Sequence, residues 1–305
     1  MCPIEPATSV DGHSGSHRDG HSDDELTEEL AGLDALEVAV PPSPGRATRA
    51  WAAAWPKLAA ALVALVAWQL IVWSGWRSTD VLPGPGPVFE TLWDDLWSGD
   101  LILATALTLR RAVLGFALGI AIGTPIGIAV ARVRVVRTAV GSVVTSLQTM
   151  PSTAWFPFAI LLFSQSETAI MFVVVLGAAP AVANGLVAGI DQIPPNLLRA
   201  GRVLGARGWT ALRYVVLPAA YPQYVAGLKQ GWAFAWRSLI AGELIVQVAG
   251  SESIGVRLQD AQRSDDATAL LATMVVILVI GIAVDSLGFG TLERRIRRRY
   301  GLATS

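Results

Sequence analysis

Six stretches of the chain are long and apolar enough to matter: residues 56–75, 107–131, 138–163, 168–190, 222–247 and 268–290. A helix needs roughly 20 mostly apolar residues to cross the hydrocarbon of a bilayer. The pattern therefore predicts an all-α polytopic membrane protein with about six transmembrane helices. Trp51, Trp55, Trp68, Trp73 and Trp76 fall at or near the ends of the first stretch, where amphipathic rings settle at a membrane–water interface. In the second stretch Gly115, Gly119, Gly123 and Gly127 recur every fourth residue. That spacing puts them on one helix face and predicts a close helix–helix contact. Pro125 lies among them and is expected to kink the helix.

Polar positions concentrate at the ends of the chain and between the stretches. Residues 1–46 are rich in Gly, Ser, Pro, Asp and Glu, and residues 1–40 hold ten acids against the single base Arg18. Such a segment buries too little apolar surface to offset its ordering entropy and is expected to be disordered. Only Leu26, Leu30 and Leu33 suggest a short helix there. His13, His17 and His21 would align on a helix as metal ligands, but the glycines and serines among them favour a solvated tail. Cys2, the only cysteine, precludes an intramolecular disulfide, and no apolar run follows it as a secretory or lipoprotein leader would require.

Composition agrees with the pattern. Of 305 residues, 53% are apolar and 15% charged, against about 25% charged in ordinary soluble domains; mean hydropathy is +0.51. These values exclude a soluble cytoplasmic enzyme, a disordered protein and a nucleic-acid-binding protein. The net charge of −1 conceals an acidic tail and a body that carries 22 bases and 14 acids. The bases have a side. One set of loops holds Arg46, Arg49 and Lys57; Arg132, Arg134 and Arg137; Arg199, Arg202, Arg207 and Arg213; and Arg294, Arg295 and Arg297 to Arg299. The other set holds mainly Arg77, Arg257 and Arg263 among acids, with Arg110 and Arg111 near that end of the second stretch. By the positive-inside rule both termini and the 191–221 loop are cytoplasmic, which an even number of spans allows.

That loop is too patterned for a linker. Pro194-Pro195 opens it, residues 196–204 read as a short amphipathic helix, and Gly205-Ala206-Arg207-Gly208 interrupts it. Trp209, Leu212, Val215 and Val216 form a second apolar stripe, and Leu217-Pro218 is expected to end it. The residues alone fit two arrangements equally: a knob that docks into a partner, or a helix pair lying on its own membrane domain.

The run RAGRVLGARGWTALRYVVLP resembles the EAA loop of permease subunits from ATP-binding-cassette importers. Arg199-Ala200-Gly201, Gly205, Val215 and Leu217-Pro218 keep the family spacing. VLPGPGPVFETLW, TLRRAVLGFALGIAIGTPIGI, the surroundings of Met150-Pro151 and Phe156-Pro157, and Gly242-Glu243-Leu244 resemble the sulfonate, taurine and nitrate branch, so the likeness spans roughly 80–290. The resemblance implies a type I importer permease fold. Its parts would be a tail at 1–50, a first transmembrane helix at 51–79, a core with five more at 80–291 that includes the coupling loop 191–221, and a basic C-terminus at 292–305. It also implies a bacterial inner-membrane location, a homodimer, an external substrate-binding protein and an ATPase subunit seated on Arg199, Ala200, Gly201, Gly205, Trp209, Leu212, Leu217 and Pro218. Arg199 stands where the family has Glu, and Gly201 where it has Ala, at a helix cost of about 0.5–1 kcal/mol. Phe163 to Glu167 and Ser253-Ile254-Gly255 also depart from the branch pattern.

Absences fit this reading. The sequence has no GxxxxGK[ST], and its two lysines, Lys57 and Lys229, follow no glycine-rich loop, so ATP and Mg²⁺ are expected on a partner and no cofactor on this chain. Charges inside a span are functional candidates. Arg237 could offer a guanidinium to a small organic anion such as an alkanesulfonate or taurine, with nitrate a rival, or could pair with a neighbouring helix. Glu243, six residues on and about 120° around the helix, is poorly placed to pair with it and suits a gate or packing role. Pro151 completes this set of pathway or gate candidates. Asp285 is expected to meet the Arg294–Arg299 cluster, which could equally anchor on lipid. An ion-coupled transporter could use Glu243, but the chain has no evident repeat. An intramembrane hydrolase is disfavoured because the spans contain neither His nor Cys.

Overall fold

The computed structural model describes residues 46–248 and 250–300. The acidic tail up to residue 45, including its leucine helix, three histidines and Cys2, lies outside the described residues. Among those described, every regular element is helical. The described residues fall into two compact units, one ending at Ala64 and the other beginning at Leu65. Helix α1 (Arg46–Trp73) begins in the first unit, and its apolar stretch Ala54–Trp73 buries none of its residues against protein. Trp51, Trp55 and Leu62 are exposed there, as expected of a helix meant to face lipid.

The second unit holds the rest. Helices α2 (Pro85–Ser98) and α3 (Asp100–Arg132) are followed by α4 (Arg134–Thr149), a 3₁₀ turn at Ser152–Trp155 and α5 (Phe156–Phe163). Then come α6 (Glu167–Asp191), α7 (Pro195–Val203), the single turn α8 (Gly208–Ala211), a wide π turn at Leu212–Val216 and α9 (Leu217–Ile245). The chain ends with α10 (Ile254–Arg263), α11 (Ala267–Ala283), a second π turn at Val284–Phe289 and α12 (Gly290–Arg299).

The core is a three-helix slab with α6 between α3 and α9. The glycine stripe makes it possible. Gly115, Gly119, Gly123 and Gly127 are buried on α3, and an added Cβ at Gly119 would lie 2.7 Å from that of Ala178 on α6. The opposite face of α6 repeats the device: a Cβ on Gly227 of α9 would lie 2.6 Å from the Cα of Gly185. Close backbone approach replaces the absent hydrophobic drive between helices in lipid. Phe156, Ile170, Val173, Val174, Ala235 and Leu239 form the main apolar cluster. Around Leu186, Ile193 and Ala220 a second cluster lies toward the loop.

Among the described residues, four helices are long and apolar enough to cross a membrane: Ala54–Trp73, Asp100–Arg132, Glu167–Asp191 and Ala267–Ile296. Of the two other predicted spans, one differs from expectation for an identifiable reason. The stretch 138–163 is not one helix. It breaks at Met150-Pro151, where Met150 is extended (φ −82°, ψ 129°), because proline has no N–H and crowds the residue before it. The stretch 222–247 forms a single helix, α9, of 29 residues, or about 44 Å, long enough to cross; Lys229, Arg237 and Glu243 lower its hydropathy. Pro125 does not interrupt α3. Proline is tolerated where neighbouring helices satisfy the freed backbone, and Thr124 is tied to Tyr224 of α9 through their hydroxyls at 2.7 Å.

Candidate functional site

The loop between α6 and α9 is built from the backbone outward. Pro195, at the start of α7, loses no hydrogen bond there. The helix ends in a Schellman motif: the Ala206 N–H donates to the Gly201 carbonyl at 2.9 Å and the Gly205 N–H to that of Arg202 at 3.1 Å. Gly205 occupies the left-handed position this motif requires, φ +83°. Gly201 is buried against Val215, whose Cγ2 would be 2.9 Å from an added Cβ. The structure thus gives the glycine at this position a packing reason: it lets α7 close onto the π turn.

The residues of the loop divide between two faces. Leu212 is 2% exposed, and Leu217 packs in the cluster around Leu186, so these two fasten the loop to the helical body. Leu217-Pro218 does not end a helix as expected. The chain passes through the π turn into α9, with Pro218 in its first turn, where a missing N–H breaks no bond. Facing outward are Val203, Leu204, Trp209 and Tyr214, each at least 68% exposed, with Arg199 and Ala200 also exposed on α7. The neighbouring loop is tied in from Arg137, which donates to both carboxylate oxygens of Asp191 at 2.9 and 2.6 Å. This pairing raises the Arg137 pKa above its ordinary value.

At the other end of the slab lies a buried polar network. Glu243 is 1% exposed and Arg111 2%. Glu243 accepts from Arg111 Nη1 at 3.1 Å, from Thr108 Oγ1 at 2.9 Å and from the Gly255 backbone N–H at 3.2 Å. Arg111 Nη2 donates to Glu167 Oε1 at 2.5 Å. Thr108 in turn accepts from the Ile254 N–H at 3.1 Å. One carboxylate and one guanidinium therefore join α3, the first turn of α6, the last turn of α9 and the start of α10. Gly255 is held so close to Glu243 that a Cβ there would clash with the glutamate's own Cβ. Sequence reasoning placed Glu243 in a gate or packing role but missed its partners. The available signal was Arg111, a second charge within a predicted span.

Arg237 is separate from this network. It lies exposed on α9, donates from Nε to the Ala233 carbonyl at 3.0 Å and stacks over Phe234 at 4.9 Å. Phe234 lines a small cavity together with Met150 and Ser152, the residues on either side of exposed Pro151 in sequence. At 2.7 Å, hydroxyls of Ser152 and Ser238 join the break to α9. Arg237 also opens onto a groove of about 610 Å³ with Lys229, Gln230, Trp232, Trp236 and Asp285. Lys229 is engaged there by Asp285 at 3.1 Å and Glu293 at 3.5 Å. This corrects the expected partner of Asp285: an acid nine residues or more from the Arg294–Arg299 cluster on the same helical run finds a cation across the groove instead. Arg237 has no carboxylate partner among the described residues, and no group of three or more metal-ligating side chains occurs there.

A slab of glycine-packed membrane helices, with a polar lock at one end and an exposed apolar loop at the other, defines a transport permease. Residues 123–298 match the family described as binding-protein-dependent transport system inner membrane component, and the chain belongs to it. A probable ABC transporter permease protein of Brucella melitensis is 31% identical over 225 residues, covering 74% of this chain and 89% of the relative. The putative aliphatic sulfonates transport permease protein SsuC of Bacillus subtilis is 29% identical, with 85% and 91% covered. The taurine transport system permease protein TauC of Escherichia coli is 29% identical, with 72% and 76% covered. Among solved structures, an amino acid ABC transporter aligns with a TM-score of 0.55 at 19% identity, covering 67% of this chain and 97% of that one. The MetNI methionine ABC transporter, inward facing, aligns with a TM-score of 0.55 at 20% identity, covering 64% and 95%. Both likenesses concern the fold. The chain is a multi-pass membrane permease subunit of the binding-protein-dependent ABC transport family.

Proposed function

We propose that two copies of this chain form the pathway of an importer for a small organic anion of the aliphatic sulfonate or taurine class, with both termini and the Arg199–Pro218 loop in the cytoplasm. ATP and Mg²⁺ bind on a separate ATPase subunit, and an external binding protein delivers the substrate. The observation that carries this reading is the outward set Val203, Leu204, Trp209 and Tyr214 on a loop otherwise fastened by Leu212 and Leu217. An exposed apolar patch among polar residues marks a docking surface, and Arg199, Arg202, Arg207 and Arg213 are exposed on the same loop. The names of the sulfonate and taurine relatives support the substrate class, and so does Arg237, a cation without a carboxylate partner among the described residues.

The mechanism is alternating access. Closure of the ATPase pair pulls the loop, α9 carries the displacement across the membrane, and the helices joined at Glu243 move with it. Arg237 and the Pro151 break line the path. A proton-coupled transporter would need a carboxylate free to exchange its proton; Glu243 is instead held by Arg111, Thr108 and Gly255. The test is affinity purification of the tagged chain in mild detergent, followed by mass spectrometry. A P-loop ATPase is expected to co-purify and to be lost when residues 199–212 are replaced. A preparation without ATPase that moves solute down an ion gradient in vesicles would overturn the reading.

A further inference from the structure

We infer that the C-terminal basic helix α12 is a binding site for the headgroups of anionic phospholipid, and that its occupancy braces the start of α9 beside the coupling loop. The inference rests on three observations, all within the second unit.

The first is position. Helix α11, the π turn and α12 form one helical run from Ala267 to Arg299. Its beginning is fixed by Asp266, which caps the helix by accepting from the Thr268 and Ala269 N–H groups at 3.0 Å. From Ala267 to Phe289 the only ionisable side chain is Asp285, engaged by Lys229. That stretch is about 35 Å long, which fits a hydrocarbon layer of about 30 Å at a tilt of roughly 30°. The arginines from 294 to 299 then begin where the hydrocarbon ends, at headgroup depth.

The second is unbalanced charge. The only acid of α12, Glu293, is turned toward Lys229. Arg295, Arg298 and Arg299 are exposed and have no carboxylate partner among the described residues. Guanidinium groups bind phosphate in planar, forked geometry, and a polybasic segment next to a span is drawn to anionic lipid. A soluble polyanion would have to be brought to this depth, whereas lipid phosphate is already there.

The third is linkage to α9. The Tyr300 hydroxyl donates to the Pro218 carbonyl at 2.7 Å. Lys229 of α9 bridges to both Asp285 and Glu293. Ile296, 7% exposed, anchors the inner face of α12. A ligand that holds α12 in this position therefore also holds the first turns of α9.

The test uses the full chain in detergent micelles, titrated with phosphatidylglycerol or phosphatidylcholine and followed by native mass spectrometry. Phosphatidylglycerol is expected to bind preferentially. The triple variant Arg295→Gln, Arg298→Gln, Arg299→Gln is expected to lose affinity for it by roughly a hundredfold, about fivefold per arginine, with phosphatidylcholine unaffected. The matching triple arginine-to-lysine variant should keep most of the affinity, which separates lost charge from a misfolded helix. Phosphatidylglycerol should also slow hydrogen exchange at residues 219–221 in the wild type, and much less in Tyr300→Phe. Equal binding of the two lipids, or full affinity in the glutamine variant, would overturn the inference. So would loss of ATPase co-purification in a glutamine variant whose lipid affinity is unchanged, since α12 would then be a protein-docking surface. Lipid binding by the isolated permease needs no ATPase, so this result stands or falls apart from the importer reading.

Discussion

Replacing Glu243 by Gln tests how the Glu243 end is held. The side chain is wholly buried, and that of Arg111 is 3% exposed. Arg111 Nη1, Thr108 Oγ1 and the Gly255 N–H all donate to the carboxylate. A carboxamide offers one oxygen. If it faces Arg111, the new NH₂ group meets the Gly255 N–H, and one buried donor loses its partner. Breaking one side of a buried ion pair costs about 3–5 kcal/mol. Arg111 keeps Glu167 as a partner, so the expected loss is at the low end, about 3 kcal/mol. Removing the stranded cation as well, in Arg111→Met with Glu243→Gln, should recover about half of it, because an absent pair is cheaper than a broken one. Equilibrium unfolding in mixed micelles, read by tryptophan fluorescence, measures both variants. If Glu243→Gln unfolds within about 0.5 kcal/mol of the wild type, as a neutral surface change does, the network does not hold these helices together.

Other expectations address the remaining parts. Gly123→Val should destabilise the chain by about 1–3 kcal/mol, because its Cβ would collide with the Ala179 carbonyl oxygen; Gly86→Ala, with open space around it, is the control in the same unfolding assay. Gly205→Glu should abolish substrate-coupled transport while the protein still reaches the membrane, with a backbone cost of about 1–2 kcal/mol for the left-handed conformation; normal uptake in vesicles would contradict the docking role of the loop. Trp209→Ala should leave unfolding within about 0.5 kcal/mol of the wild type, since the ring is 69% exposed, yet weaken ATPase co-purification at least tenfold, about 1.4 kcal/mol, as loss of a hot-spot aromatic does. Arg237→Gln should raise the substrate concentration needed for half-maximal uptake without changing stability; an unchanged uptake curve would remove Arg237 from the pathway.

Local rules made much of this legible. The i+4 glycines of α3 announced a close contact from sequence, because small residues at that spacing have one use in a membrane helix. Gly205 was legible as a break, and its Schellman geometry follows from the residues around it. What was hidden was non-local. Thr108 and Arg111 lie more than 130 residues from Glu243, and no periodicity states which distant charges will meet. Hydropathy also misjudged one span. It joined α4 and α5 across Met150-Pro151 because both sides are apolar, although proline forbids the continuation. It placed α9 correctly as one helix over 222–247, although the helix starts five residues earlier, at Leu217. Asp285 was assigned to the nearest arginines in sequence, but its neighbour in space is Lys229.

The glycine contact between Gly185 and Gly227 has a mechanical consequence. Where two helices touch through side chains, rotamer changes can absorb a small push. Backbone against backbone leaves no such cushion. Under the proposed mechanism, a displacement applied at Leu217 would not be lost within the slab, and α9 would act as a connecting rod about 40 Å long from the loop to Glu243. On that mechanism the compliance would lie where the helices are interrupted, at Met150-Pro151 and at Asp191–Pro195.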